Sequence, residues 1–259
     1  MKEQETETVK IAALDFFSIN FLSLIIPSFP CLGIFLFLEL AVFKILIIPI
    51  LLHALLIPII MLFLYYFYIL LVIEFATIWV NIWNKKSPPQ QGVFARILDD
   101  PNTPEGRMLE YYHKRGFIIK MPVWLTMKSP FPWLVNRALR RITHNEIGKN
   151  VLYCDSYVGL EFTKIDDDCF LYPTAALSSH AVNSIFGKIS ILKVKLRSNS
   201  IIYPGVIAGP GVHTKNDYVI YPNTVLHKSW RGKEEHKYYQ GSPGSPVTPP
   251  KSIRNERKK

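Results

Sequence analysis

Residues 201 to 226 read IIYPGVIAGPGVHTKNDYVIYPNTVL, and this stretch decides the fold. An apolar or small residue returns at every sixth position, at Ile202, Ala208, Thr214, Ile220 and Leu226. Turn-forming Pro, Gly and Asn residues separate these positions. A period of six fits neither a helix face nor an alternating strand. It predicts a parallel β-helix, in which three short strands form one triangular coil of about 18 residues.

The same ladder of apolar positions extends upstream to Ile147 and predicts about four coils between residues 145 and 247. Its phase is broken once, because Leu177 and Leu196 are 19 positions apart where the ladder requires six. We therefore predict one inserted loop of about 13 residues between them, the difference between those two spacings. A repeat that is interrupted at a single defined place indicates a functional site.

The N-terminal region predicts a membrane domain. Residues 1–10 are polar, and residues 11–83 are apolar almost throughout, far more than the roughly 20 residues that one crossing needs. We predict two transmembrane helices, 17–43 and 55–83, within a membrane domain at 1–84; a re-entrant hairpin is the alternative. Lys85 and Lys86 follow the second helix, and basic residues beside a span mark the cytoplasmic side. The protein is thus expected to be multi-pass, with the β-helix in the cytoplasm.

Residues 85–144 are predicted to form a linker with membrane-surface or capping helices. Thr103 and Pro104 are typical of a helix start, and Gly116 of its end. A second helix after residue 129 has an apolar face beside the basic residues Arg137, Arg140 and Arg141. This pattern indicates contact with anionic lipid headgroups or a cap on the β-helix.

A net charge of +10 also suits a membrane surface. No nucleic-acid-binding motif accompanies that charge, so we expect no nucleic-acid partner. Residues 248–259 are expected to be a disordered basic tail.

Four motifs inside residues 129–247 carry a family resemblance. They are Ile147-Gly148-Lys149-Asn150, the run EFTKID at 161–166, Leu177-Ser178-Ser179-His180, and Gln240-Gly241-Ser242-Pro243. With the two preceding apolar helices, they resemble the left-handed β-helix hexapeptide-repeat acyltransferase superfamily. The nearest likeness is to the membrane-embedded C-terminal unit of Pls-type (ε-poly-lysine synthetase-like) non-ribosomal peptide synthetases. This sequence departs from them at Asp166, where Gly is usual, and lacks their adenylation and carrier domains.

The resemblance implies an α+β membrane protein with a left-handed β-helix that assembles as a homotrimer. It further implies an acyltransferase-like enzyme, in which a thioester donor, an acyl-CoA or a carrier-protein pantetheine, binds in a cleft between subunits. His180 would be the catalytic base toward an amine or hydroxyl acceptor, and Gly241, Ser242 and Pro243 would bind the donor. Because Glu161 lies one coil length before Ser179, it is predicted to stack beside His180 as its catalytic partner.

Two alternatives stay open. One is a non-catalytic trimeric scaffold or accessory subunit of a membrane complex. The other, less favoured, is a zinc protein like the γ-class carbonic anhydrases, which share a three-His site between subunits. His213 and His227 are separated by less than one coil length and fall on different faces of a coil, and His180 lies in the insertion. That spacing does not match the zinc triad, so we expect no metal.

Overall fold

The computed structural model describes residues 13–97, 100, 102–159, 161–183 and 186–249. These fall into two compact units. A helical unit comprises Met1–Pro88 and Glu110–Ile142, and a β unit comprises Pro89–Leu109 and Thr143–Lys259. The polar lead, and residues 250–259 of the predicted tail, lie outside the described residues.

The described helices include five α-helices, and a π-helical turn, Leu38–Phe43, extends the second of them. Their bounds are α1 Ala13–Ile25, α2 Ser28–Phe37, α3 Ile50–Lys86, α4 Pro104–Lys128 and α5 Leu134–Ile142. Pro27 stands between α1 and α2, where its fixed φ and missing N–H interrupt the helix. The segments Ala13–Phe43 and Ile50–Lys86 are both long and apolar enough to span a membrane by length and composition.

The two halves of α3 differ in what covers them. Buried side chains lie on one stripe of the second half, at Ile69, Val72, Ile73, Ala76 and Val80. The apolar face of α5 packs against α3, and Arg141 and Arg137 of α5 bind the Glu74 carboxylate of α3 at 2.9 and 3.3 Å. In the first half of α3, by contrast, most of the large apolar side chains are exposed.

Helix α4 corrects the prediction that a short helix ends at Gly116. Thr103 does cap its start, since the Thr103 Oγ1 accepts the backbone N–H of Gly106 at 3.1 Å. The helix then continues through Gly116 and Pro122 to Lys128. Gly116 is buried between the buried residues Arg115 and Ile118, so packing overrides the helix-ending tendency of glycine.

Sixteen short strands lie among the described residues of the β unit. Their bounds are β1 Gly92–Ala95, β2 Glu146–Ile147, β3 Leu152–Tyr153, β4 Tyr157–Val158, β5 Thr163–Ile165, β6 Phe170–Leu171, β7 Ala176–Leu177, β8 His180–Asn183, β9 Lys188–Ile191, β10 Val194–Leu196, β11 Ile201–Ile202, β12 Ile207–Ala208, β13 Val219–Ile220, β14 Val225–Leu226, β15 Tyr238–Gln240 and β16 Ser245–Pro246.

Three parallel faces form a β-helix. The first face contains β2, β5 and β10 and is continued by parallel bridges at His213 and Arg231. The second contains β3, β6, β11, β13 and β15, and the third β4, β7, β12 and β14. Partners on the first and second faces mostly lie one predicted coil length apart, as Leu152 and Phe170 do. Pairs that bracket the insertion, such as Ala176 and Ile207, are separated by one coil plus the predicted insertion, which confirms the inserted length.

Apolar residues of the ladder fill the interior. Ile165, Leu171, Leu177, Leu196 and Ile202 are fully buried, and so are the small inward residues Cys169, Ala175 and Val194. Thr214, a polar residue on the ladder, is also buried; its Oγ1 accepts the backbone N–H of Arg197 at 2.9 Å. A buried hydroxyl with such a partner does not carry a full desolvation cost.

The corners of the coil explain the turn residues. One corner is occupied in successive coils by Asn150, Asp168, Asn199 and Asp217, all in the left-handed region with φ between 53° and 62°. Asn and Asp tolerate this conformation better than most residues. The side-chain amide of Asn199 also donates to Asp217 one coil away, at 3.1 Å. The corner sequence therefore sets both the turn and the stacking.

Candidate functional site

The insertion is a β-hairpin rather than an irregular loop. β8 and β9 pair antiparallel, with His180 opposite Ile191, and β1 from the linker joins the outer side of β9. Gln91 fixes the junction, because its side-chain oxygen accepts the backbone N–H of Lys193 at 3.0 Å. Six-residue periodicity contains no sign of this sheet, which is antiparallel and begins outside the repeat.

His180 lies at the root of the hairpin, as its first residue. Its carbonyl accepts the hydroxyl of Ser178 at 2.7 Å, so the chain is fixed where it leaves the coil. The side chain is half-buried, and this burial lowers the pKa of the imidazole from its ordinary value of 6.5. The imidazole is therefore neutral at pH 7, the form in which it can accept a proton.

Glu161 lies in the tight turn that precedes β5 and is only 3% exposed. Asn145 fixes this turn: its amide donates to the Gly159 carbonyl, and its oxygen accepts the Thr163 N–H, both at 2.9 Å. Phe162 occupies the left-handed region at φ 58°, which is uncommon for a bulky residue. Asn145 escaped the sequence analysis, although it lies one coil length before Thr163 and could have been found from that spacing.

The coil length near His180 corrects the constant spacing assumed from sequence. On the third face, Val158 pairs with Leu177, one position farther along the chain than the regular coil would place its partner. A Cβ placed on Gly159 would meet Ser179 at 2.8 Å, so Ser179 lies over Gly159. The turn between β3 and β4 is one residue shorter than the matching turns between β6 and β7, β11 and β12, and β13 and β14. Stacking of Glu161 beside His180 stays a prediction. The lowered pKa of the imidazole reflects its burial, whereas an adjacent carboxylate would raise that pKa.

Lys228 is a further residue at the hairpin that the sequence analysis missed. Its ammonium donates to the hydroxyl of Ser190 at 2.7 Å. Ser190 lies on β9, opposite Ala181, so a cation from a later coil holds the hairpin close to the residue after His180. No sequence signal identifies this contact, which joins residues 38 positions apart.

The predicted donor-binding residues form a turn at the end of the second face. Gly241, Ser242 and Pro243 connect β15 to the antiparallel β16. The Gly241 carbonyl accepts the N–H of Val225 at 2.9 Å, so the turn closes onto the preceding coil. Their donor-binding role stays a prediction.

Two other predicted sites can be located. Arg137 and Arg141 bind Glu74 in the helical unit, and their contact with anionic lipid stays a prediction, as does that of Arg140. His213 faces outward from the first face, in register with Lys195 and Arg231. Within the described ranges, no three His, Cys, Asp or Glu side chains come together as metal ligands do.

Comparison with known proteins gives similar structures but no sequence match. No family model and no curated protein matches the sequence. A maltose O-acetyltransferase from Clostridium difficile 630 is similar at 17% identity and a TM-score of 0.43, over 50% of this chain and 83% of that protein. A hexapeptide-repeat-containing acetyltransferase from Vibrio cholerae O1 biovar eltor, solved with acetyl coenzyme A, is similar at 12% identity and 0.41, over 57% and 91%.

A serine acetyltransferase from Brucella abortus strain S19 is similar at 14% identity and a TM-score of 0.36, over 70% of this chain and 56% of that protein. These three are acetyltransferases, the broad class of the superfamily that the sequence resembles. None of the three is a Pls-type synthetase.

Proposed function

We propose that this protein is a membrane-anchored acyltransferase built on a left-handed β-helix of about four coils. One observation carries the proposal: the repeat is interrupted once, and a half-buried His180 with a lowered pKa stands at the root of the interruption. A neutral imidazole at a fixed position is the group that general-base catalysis of acyl transfer needs.

The proposed reaction moves an acyl or aminoacyl group from a thioester to an amine or hydroxyl. His180 takes the proton of the acceptor as its nitrogen or oxygen attacks the thioester carbonyl carbon. The carbon–sulfur bond then breaks, and the imidazolium returns the proton to the departing thiolate. Glu161 is the proposed positioning partner of His180, and the donor is an acyl-CoA or a carrier-protein pantetheine thioester. Gly241, Ser242 and Pro243 are proposed to contact that donor.

Assembly as a homotrimer is proposed from the outer surfaces of the second and third faces. Their outward side chains are largely apolar, and Leu152 and Ile207 are 60% and 51% exposed. Columns of exposed apolar side chains mark protein–protein interfaces. Two such faces on one prism suit contact with two further copies of this chain, which leaves the charged first face to solvent.

The membrane part of the proposal gives the enzyme a helical hairpin that crosses the bilayer, with the β-helix on the cytoplasmic side. Ile50 to Tyr68 is long enough for a crossing, since 19 residues rise about 28 Å. Its exposed apolar side chains would contact lipid. Lys85 and Lys86 close α3 on the cytoplasmic side, and α5 with its arginines would lie near anionic headgroups.

A second candidate is the non-catalytic scaffold, which one observation favours. Val182 and Phe186 of the hairpin are 48% and 69% exposed, and such side chains suit contact with other subunits of a membrane complex.

The test compares the full chain with His180→Asn in membranes that contain the native acceptors. Radiolabel is supplied as acetyl-CoA or as an acylated carrier protein. The enzyme proposal expects label transfer by the wild type and a loss of about 10²- to 10⁴-fold in the variant, with the oligomer unchanged by light scattering. Equal transfer by the two proteins refutes the role of His180, and no transfer from either donor favours the scaffold.

A further inference from the structure

The first face of the β-helix presents one charged outward column. From the first coil to the last, Glu146, Lys164, Lys195, His213 and Arg231 follow one another in parallel register. Successive rungs of a β-sheet lie about 4.8 Å apart. The column therefore changes from an acid–base pair at one end to a run of basic residues at the other.

Side chains on adjacent rungs of this face reach one another. Lys164 donates to Glu146 at 2.8 Å within the column. In the neighbouring column, Arg197 donates to Asp166 at 3.0 Å, again from one rung to the next. The same spacing continues to Lys195, His213 and Arg231, which we call the cationic ladder. Each end of the ladder is thus one rung from His213.

The acids around the cationic ladder already have partners. Glu146 binds Lys164 and Lys193, Asp166 binds Arg197, and Glu234 binds Lys215 at 2.8 Å. Among the residues that the structure describes, neither Lys195 nor Arg231 forms an ion pair. Lys195 and Arg231 lie two rungs, about 10 Å, apart, so their like charges repel each other across His213. An anion from outside the chain would relieve this repulsion and use donors that the protein leaves available.

We propose that the cationic ladder is a binding site for a phosphate group with two negative charges, such as a phosphate monoester or a pyrophosphate. Arg231 supplies a planar fork that matches phosphate oxygens, Lys195 supplies a point charge, and His213 supplies a ring N–H between them. Lys195 is only partly exposed, which strengthens its interaction with an anion. The site does not depend on acyl transfer, because a chain without activity would still bind the anion.

The test measures thermal unfolding of the full chain in nanodiscs of zwitterionic lipid at pH 7.5. Pyrophosphate at about 100 times its Kd is expected to raise the midpoint by about 5–10 °C beyond sodium chloride of matched ionic strength. The double variant Lys195→Gln/Arg231→Gln should lose this response while its midpoint without pyrophosphate equals or exceeds that of the wild type. Lys149→Gln removes a lysine in a turn of the same domain and should keep the response.

Nanodiscs that contain phosphatidic acid, whose headgroup is a phosphate monoester, distinguish a lipid headgroup from a soluble phosphate. A ladder-dependent rise with pyrophosphate assigns a soluble ligand, and a rise only with phosphatidic acid assigns the lipid. The proposal is overturned if the double variant responds as the wild type does, or if neither probe raises the midpoint of the wild type. None of these readouts uses transferase activity, so failure of this site is distinguishable from failure of the proposed function.

Discussion

The pH dependence of folding stability isolates the burial of His180. Its pKa in the folded protein lies below the 6.5 of the free side chain, because burial disfavours the imidazolium. From about one pH unit above 6.5, the imidazole is neutral in both states and its contribution to stability no longer changes with pH. As the pH falls below 6.5, the unfolded chain binds the proton first, so stability is lost until the folded pKa is reached. One such group changes the free energy of unfolding by at most about 1.4 kcal/mol per pH unit.

The assay is denaturant unfolding of the wild type and His180→Asn between pH 8 and pH 5. The difference between the two free energies of unfolding removes the contribution of the other histidines. We expect this difference to be constant above about pH 7.5. Below pH 6.5 the wild type should lose stability relative to His180→Asn. Val182→Ala changes the same strand without removing a titrating group, so it should follow the pH dependence of the wild type. A difference that is independent of pH would refute the burial of His180.

Three further predictions test the coil and the proposed membrane hairpin. Leu196→Ala removes a fully buried side chain and should lower the free energy of unfolding by about 2–5 kcal/mol in denaturant melts. Asn199→Gly loses the hydrogen bond to Asp217 and should lower the free energy of unfolding by about 1 kcal/mol. Asn199→Ala also places a side chain with a Cβ in the left-handed region and should lower it by about 2–3 kcal/mol. Equal losses would contradict the role of this corner. Ile47 lies in the turn of the proposed hairpin and is 86% exposed. In a chain without native cysteines, an impermeant maleimide should label Ile47→Cys from one side of the membrane and Lys86→Cys from the opposite side. Labelling of both variants from the same side would contradict a crossing hairpin.

The coil was predictable because its information is local and repeated. Each ladder position carries one small set of residues, and a buried position such as Leu171 tolerates little else. The inserted length followed from the same periodicity, since every pair that brackets the insertion is displaced equally. The shorter turn between β3 and β4 did not follow from it, because the first and second faces keep the regular coil spacing there.

The form of the insertion was not predictable, because it depends on contacts across long sequence distances. β1 pairs with β9 although the two strands are far apart in the chain, and neither strand carries a repeat. The extent of α4 was mispredicted for a related reason: burial of Gly116 outweighs its local preference. At the site, His180 could be selected from sequence by its place in the interruption and Asn145 by its coil spacing to Thr163, whereas Lys228 contacts a hairpin residue that no spacing selects.

The most direct test of the central claim is the pH–rate profile of coenzyme A release from acetyl-CoA by the full chain, supplied with native acceptors. The account predicts that kcat/KM falls on the acid side with an apparent pKa below 6.5, and that His180→Asn loses about 10²- to 10⁴-fold at every pH above it. An unchanged rate in His180→Asn, or an acid limb that persists in that variant, would contradict it.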